Sequence, residues 1–149
     1  MSVADLSRPF EILLVEDNPA DQRLVQEALT ETWVIHNLWI VEDGEQCLQF
    51  LRQDESKYKD VPRPDLILLD LNMRQKDGRE ALAEIKSDHH LRSIPVVVFT
   101  SSTHERDIFN AYHNYANTYI IKPRRLIDCI RVMESITDYW FNTATHFLR

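Results

Sequence analysis

Blocks of isoleucine, leucine and valine alternate along the chain with segments whose apolar residues recur at helical spacing, and no repeat or low-complexity tract interrupts them. That alternation predicts repeated strand–helix units around a parallel sheet. The first strand is EILLVED. Asn18 follows as a helix cap and Pro19 as the first helical residue, with Leu24, Val25, Ala28 and Leu29 on one face. A less regular strand, HNLWIVED, leads through Asp43 and Gly44 into a helix carrying Cys47, Leu48 and Leu51. DLILLD and IPVVVFT are near-continuous apolar runs, the pattern of central strands covered on both faces. Between them REALAEIKSD places Leu82 and Ile85 on one helical face. A helix over about residues 103–114 and a short fifth strand, TYII, follow. The last segment, about residues 124–148, spaces Leu126, Ile130, Met133, Thr137 and Trp140 as one helical stripe. The expected architecture is one doubly wound α/β domain over 1–149, a five-stranded parallel sheet with five helices. It carries an N-terminal tail (1–10), a solvated inserted loop (about 53–63, within QDESKYKDVPRP) and an extended C-terminal helix (about 124–148).

Composition narrows the functions such a domain can have. At 149 residues, 44% hydrophobic and 28% charged, the chain has the make-up of a globule with one core. Its apolar runs stop far short of the ~20 residues that span a bilayer, and MSVADLSRPFEI lacks the cationic start and apolar block of a secretion signal. The cytoplasm is therefore the expected location, with no membrane partner. A net charge of −7 repels polyanions, so nucleic acid is not an expected partner either. Cys47 and Cys129 are too few for a four-thiolate zinc site and are expected to be buried thiols. Gly44 and Gly78, the only glycines, are too far apart for a Walker loop or a dinucleotide fingerprint. The six histidines show no shared metal-ligand spacing.

In an open parallel sheet, ligands bind beyond the carboxyl ends of the strands. Here the first strand ends in Glu16 and Asp17, the third in Asp70, the fourth in Thr100 and Ser101, and the fifth is followed by Lys122. If the strand order is 2-1-3-4-5, Asp70 faces the Glu16–Asp17 pair across one groove. Three like charges there would raise one another's pKa values unless a hard divalent cation neutralises them. Mg2+, which takes one or two carboxylates together with waters and phosphate oxygens, is the expected ion.

LLVEDN, LLDLN, the threonine after PVVVF, and YIIKP occur in the order and at the spacings of the receiver domains of two-component response regulators, and the chain resembles that family over nearly its whole length. The resemblance implies a flavodoxin-like receiver fold with strand order 2-1-3-4-5. It implies that Asp70 accepts a phosphoryl group from a sensor histidine kinase, and that Asp17, Asp70 and the Asn72 backbone carbonyl hold Mg2+, with Glu16 acting mainly through water. Thr100 and Lys122 would bind the phosphoryl oxygens, and Tyr119 would turn inward as Thr100 moves. A carboxylate is a competent nucleophile for phosphoryl transfer, and an ammonium and a hydroxyl are suited to the charge that moves with the phosphoryl group. The resemblance also implies a cis Lys122–Pro123 bond. Arg74 departs from the family pattern, standing where a proline often follows the loop. Asn72 and Ser102 flank the route by which water would attack the phosphoryl group, and neither is a general base.

Only 27 residues follow Lys122, too few for a DNA-binding or enzymatic output domain, so a stand-alone receiver is expected. The surplus of the final helix, YWFNTATHFL, is rich in aromatics, and Tyr139, Trp140, Phe141, Phe147 and Leu148 are expected to form a symmetric homodimer interface. This ending, with DGREALAEIK and RPDLILLDLN, is most similar to the response regulators paired with bacterial and cyanobacterial phytochromes. A light-regulated kinase is the implied donor. The competing readings are a magnesium-dependent phosphohydrolase using Asp70 as nucleophile and a receiver-like scaffold that is never phosphorylated. Asn72, where a dehalogenase-type phosphohydrolase carries a second carboxylate, argues against the first. Retention of Glu16, Asp17, Asp70, Thr100 and Lys122 together argues against the second.

Overall fold

A computed structural model describes residues 8–54 and 56–144. Its strands are β1 (Phe10–Val15), β2 (His36–Val41), β3 (Leu66–Leu69), β4 (Val96–Thr100) and β5 (Thr118–Ile121), all parallel and ordered β2-β1-β3-β4-β5. The helices are α1 (Pro19–Thr30), α2 (Gly44–Arg52), α3 (Gly78–Ser87), α4 (Glu105–His113) and α5 (Leu126–Asp138). The doubly wound fold predicted from the apolar runs is present. Alternation along each buried strand divides its side chains between two layers. Leu13, Val15, Ile67, Leu69, Val96 and Val98 pack with residues of α2 and α3, whereas Ile12, Leu14, Leu66, Leu68, Val97 and Phe99 pack with residues of α1 and α5.

Caps fix where the first three helices begin. The side chains of Asn18, Asp43 and Asp77 accept hydrogen bonds from backbone N–H groups in the first turns of α1, α2 and α3. Helix α4 has no such cap, and among its residues only Ala111 is buried. Both cysteines are buried and unpaired, and burial pushes the Cys47 thiol up to about 12 and the Cys129 thiol up to about 11, so neither is a nucleophile at neutral pH.

Four expectations need correction. The inserted loop is not wholly solvated: a 3-10 turn at Ser56–Tyr58 buries Tyr58 against Phe50, with ring centroids 5.6 Å apart. The final helix does not run unbroken to residue 148. It gives way at Tyr139–Thr143 to a π-helical turn that Ala144 leaves in an extended conformation. The turn is closed by the Ala144 N–H donating to the Tyr139 carbonyl at 2.7 Å, and within it Phe141 lies against Phe10, the rings stacked at 4.1 Å. Phe141, expected at a dimer interface, is therefore buried in its own subunit, because β1 offers it an aromatic partner. Phe147 and Leu148 lie outside the described residues. The Lys122–Pro123 bond is trans rather than cis, the isomer an X–Pro bond prefers by about 0.5–1 kcal/mol.

Candidate functional site

The register pairs Val15 with Leu69, so β1 and β3 end side by side and the acidic residues that follow emerge together. The Asp70 N–H donates to the Val15 carbonyl at 3.0 Å, which fixes Asp70 beside the turn that carries Glu16 and Asp17. Lys122 arrives from the far edge of the sheet. Its backbone N–H donates to the Thr100 carbonyl at 2.8 Å, and its side chain runs inward until only 8% is exposed.

The Lys122 ammonium meets three carboxylates. Nζ lies 3.0 Å from Asp70 Oδ2 and 2.8 Å from Asp21 Oδ2, and it forms a very short ion pair with Glu16. Glu16 is buried, and its Oε2 also accepts the Asn18 N–H at 3.2 Å. Burial pushes its carboxyl up to about 7. The contact with Lys122 opposes that rise, and the neighbouring charge of Asp70 adds to it. Burial works against the Lys122 charge too, but hydrogen bonds to Asp21 and Glu16 and the charge of Asp70 outweigh it and hold the ammonium above the ordinary lysine range.

Asp17 faces the open side of the groove. Its Oδ2 accepts the Arg74 N–H at 3.1 Å, and the largely exposed Arg74 side chain brings its Nε to 4.0 Å of the same oxygen. Asp70 Oδ1 accepts the Asn72 N–H at 3.3 Å. Thr100 is fully buried at the end of β4, with the Ser102 N–H 3.5 Å from its hydroxyl. The Tyr119 hydroxyl donates to the Ser102 carbonyl at 2.9 Å, which holds the ring partly inward. Thus Glu16, Asp17, Asp70, Thr100 and Lys122 gather at one rim of the sheet, and Tyr119 is tied through its hydroxyl to Ser102, two residues beyond Thr100.

Sequence reasoning missed Asp21. Its signal was positional: an acid in the first turn of α1, four residues beyond Asp17, lies on the same side as the strand ends. It also missed Arg79 and Asp107, whose pairing across 28 positions has no local signature.

Among the described residues no three His, Cys, Asp or Glu side chains form a ready cage for a metal. Lys122 holds Glu16 and Asp70, and the Arg74 N–H holds Asp17. The donors nonetheless fit a hard cation. Asp17 and Asp70 would supply carboxylate oxygens, and the Asp17 side chain is 19% exposed, open to the waters that Mg2+ retains. Charge argues the same way, since Glu16, Asp21 and Asp70 share one ammonium and Asp17 has only the solvent-exposed Arg74 guanidinium at 4.0 Å.

Comparison with known proteins gives concordant matches. The family described as Response regulator receiver domain matches residues 12–133. Response regulator Rcp1 of Synechocystis sp. is 47% identical over 137 residues, 92% of each chain, and the Mn(2+)-bound form of Rcp1 superposes with a TM-score of 0.85, covering 92% of this chain and 98% of that one. The phosphorylated cyanobacterial phytochrome response regulator RcpA is 48% identical, with a TM-score of 0.87 over 93% of this chain and 98% of its own. A probable methanogenesis regulatory protein, FilR2 of Methanothrix harundinacea, is 41% identical over 93% of this chain and 88% of its own.

Proposed function

Given that the chain belongs to the response regulator receiver domain family, we propose that Asp70 is its phosphoacceptor and takes a phosphoryl group from a phosphohistidine on a sensor histidine kinase. The observation that carries this reading is the 3.0 Å contact between Asp70 and Lys122, residues 52 positions apart that meet beside Asp17 where β1 and β3 diverge. An Asp70 oxygen attacks the phosphorus. The new P–O bond forms as the donor's P–N bond breaks, and its electron pair leaves on the imidazole. Lys122, already at Asp70, turns to a phosphoryl oxygen, and the Thr100 hydroxyl donates to another. Mg2+, held by Asp17, Asp70 and the Asn72 carbonyl with Glu16 acting through water, would supply further positive charge against the phosphoryl oxygens. As Thr100 moves toward the phosphoryl group, Tyr119 follows it inward, and the surface around α4, β5 and α5 changes.

The likeness to Rcp1 and RcpA supports a kinase of phytochrome type as the donor, and the absence among the described residues of a helix long and apolar enough to cross a membrane accords with work in the cytoplasm. The reading is tested by incubating the protein with Mg2+ and acetyl phosphate, then mapping the modified peptide by mass spectrometry. One phosphoryl group on Asp70, absent when EDTA replaces Mg2+, is the expected result. No uptake, or uptake on a serine or histidine, overturns it.

A second copy is the proposed cover for the aromatic turn that follows α5. Tyr139 is 55% exposed there and meets Trp140 edge-on at 5.1 Å. Trp140 itself packs partly on its own core, so its truncation would mix loss of fold with loss of assembly. Tyr139→Asp is the cleaner probe. The wild-type chain should sediment as a dimer and Tyr139→Asp as a monomer, with phosphoryl uptake equal in the two. A monomeric wild type removes the assignment.

A further inference from the structure

A cleft lies at the rim of the sheet opposite Asp70. Asn117, just before β5, accepts on its side-chain oxygen the N–H of Val96, the first residue of β4, at 2.9 Å, which marks the amino ends of these strands. Lys86 from the last turn of α3, Arg92 from the turn before β4, Tyr112 from the last turn of α4, and Tyr115, Ala116 and Asn117 line a space of about 630 Å³. Small ligands fill spaces of this size. None of the six residues is acidic. The Lys86 ammonium donates to the Arg92 and Ile94 carbonyls, each at 2.9 Å, and to Asn117 Oδ1 at 3.2 Å. Its three partners are neutral oxygens, and burial moves its pKa down to about 8. Arg92 is exposed, and its guanidinium has no ion pair or hydrogen bond among the described residues. Two cations without a carboxylate partner thus stand together on a chain of net charge −7.

The loop beside them is strained. Helix α4 ends with the Ala116 N–H on the Ala111 carbonyl at 2.9 Å and the Tyr115 N–H on the Tyr112 carbonyl at 3.0 Å, a Schellman pair. That geometry puts Tyr115 in the left-handed region, at φ 66°, where glycine is the usual residue and a bulky side chain is disfavoured. Gln53, the other such residue among those described, uses its side chain to donate to the Val61 carbonyl. The Tyr115 ring is 75% exposed and has no ring contact or hydrogen bond among the described residues. A strained aromatic that contacts nothing in its own fold points to something outside it.

We propose that this cleft binds a nucleoside phosphate, with its base stacked on Tyr115 and its phosphate held by Arg92. A guanidinium fork matches phosphate oxygens in two directions at once, and the flat face of any base stacks on an exposed aromatic ring. Lys86 adds positive charge beside the phosphate without giving up its three bonds. Asn117 Oδ1 accepts from both Lys86 and Val96, which fixes its amide and leaves Nδ2 as a donor with no partner among the described residues. The Tyr112 hydroxyl accepts the Tyr119 N–H at 3.0 Å, so that ring is set in place before a ligand arrives. Free phosphate would satisfy Arg92 and leave the Tyr115 ring unused. A long nucleic acid would meet the repulsion of the whole chain. A small ligand carrying both a planar ring and a phosphate answers both observations. The cleft shares no residue with the Asp70 centre, so the inference stands apart from the phosphoacceptor reading.

The test is titration calorimetry of the full chain with ADP, in EDTA so that no metal carries the nucleotide to the acidic groove. Saturable binding of one ADP per chain is expected. Adenosine and pyrophosphate, each lacking one half of the ligand, should bind at least about tenfold more weakly. Arg92→Gln, which removes an exposed charge and leaves the fold alone, should weaken ADP about tenfold. Tyr115→Gly should weaken it by a similar factor while raising Tm, because glycine relieves the left-handed backbone. Tyr115→Phe keeps the ring and should bind ADP as the wild type does. Phosphoryl uptake on Asp70 should be the same in all three variants and the wild type. A more stable Tyr115→Gly protein with full ADP affinity overturns the proposal, as does ADP binding that Arg92→Gln leaves unchanged. Pyrophosphate bound as tightly as ADP would make the ligand a free phosphate and remove the nucleoside. No saturable ADP binding to the wild type removes the site.

Discussion

Replacing Lys122 with methionine should slow phosphoryl uptake from acetyl phosphate on the order of 100-fold, the scale of losing one preorganised donor at a charge-bearing oxygen. Methionine keeps the length and apolar stem of lysine, so what disappears is the ammonium that Glu16, Asp21 and Asp70 share. Glu16 and Asp70 are both buried, and removing one member of a buried ion pair costs roughly 3–5 kcal/mol when the remaining charge has no other partner. The variant can escape part of that cost by protonating Glu16, whose carboxyl burial already pushes up to about 7 from an ordinary 4.5. A carboxyl raised in the folded state favours folding only while it is protonated. Its contribution is intact below the unfolded value near 4.5 and is lost as pH rises through the folded one. Without Lys122 the folded value moves higher still, so the loss continues over a wider range. The gap in urea midpoint between Lys122→Met and wild type, measured without divalent ions, should therefore widen as pH climbs past 7. Uptake near the wild-type rate, or a gap that narrows with pH, would show that Lys122 is not the counter-charge of this centre.

The sequence pattern carries part of this centre on its own. The strands and their acidic ends were plain, because β1, β3 and β4 are apolar runs in which an acid or a threonine at the end is conspicuous. The first helix cap was equally plain, because Asn18 with Pro19 acts on neighbours within one turn. What resisted was anything decided by contact between distant segments. Tyr58 sits in a polar stretch of the chain and is buried where it meets Phe50 and the core around it. Phe141 reads as one more aromatic on a helix surplus to the sheet, and Phe10, 131 positions earlier, is what turns it inward. Asp21, Arg79 and Asp107 follow the same rule. Each is an ordinary charged residue in a first helical turn, and each acquires meaning from a partner that only the folded sheet brings near. Periodicity reports the face a residue takes on its own element, whereas these residues are defined by what stands across from that face.

The second large effect concerns a residue with no side chain at all. Gly78→Ala should lower stability by about 3 kcal/mol, at the upper end of overpacking penalties, and a chain of this size should then lose about 6–12 °C in Tm. Helix propensity alone predicts the reverse, because Gly78 is the first residue of α3 and alanine is the better helix former by up to about 1 kcal/mol. Space decides against propensity. A Cβ on Gly78 would stand 1.9 Å from the Asp70 carbonyl oxygen and 2.8 Å from the Leu71 Cα, and both are backbone atoms that no rotamer change can move. The Gly78 N–H also donates to the Leu71 carbonyl at 3.0 Å, so the start of α3 is sewn to the chain segment that carries Asp70. Relieving the overlap means lifting α3 or shifting that segment, and either displaces Asp70 from Lys122. The variant should therefore lose phosphoryl uptake out of proportion to the fraction unfolded at the assay temperature. Gly44→Ala provides the contrast. Its new methyl would meet the Lys76 carbonyl at 2.7 Å and the Asp77 carbonyl and the flexible Lys76 side chain at 3.0 Å, none of them an atom of Asp70, so it should lose some stability yet keep uptake in step with the folded fraction. A Gly78→Ala protein as stable as wild type, with uptake intact, would show that α3 can move off Asp70 freely, and the close approach of helix and phosphoacceptor would then have no hold on the site.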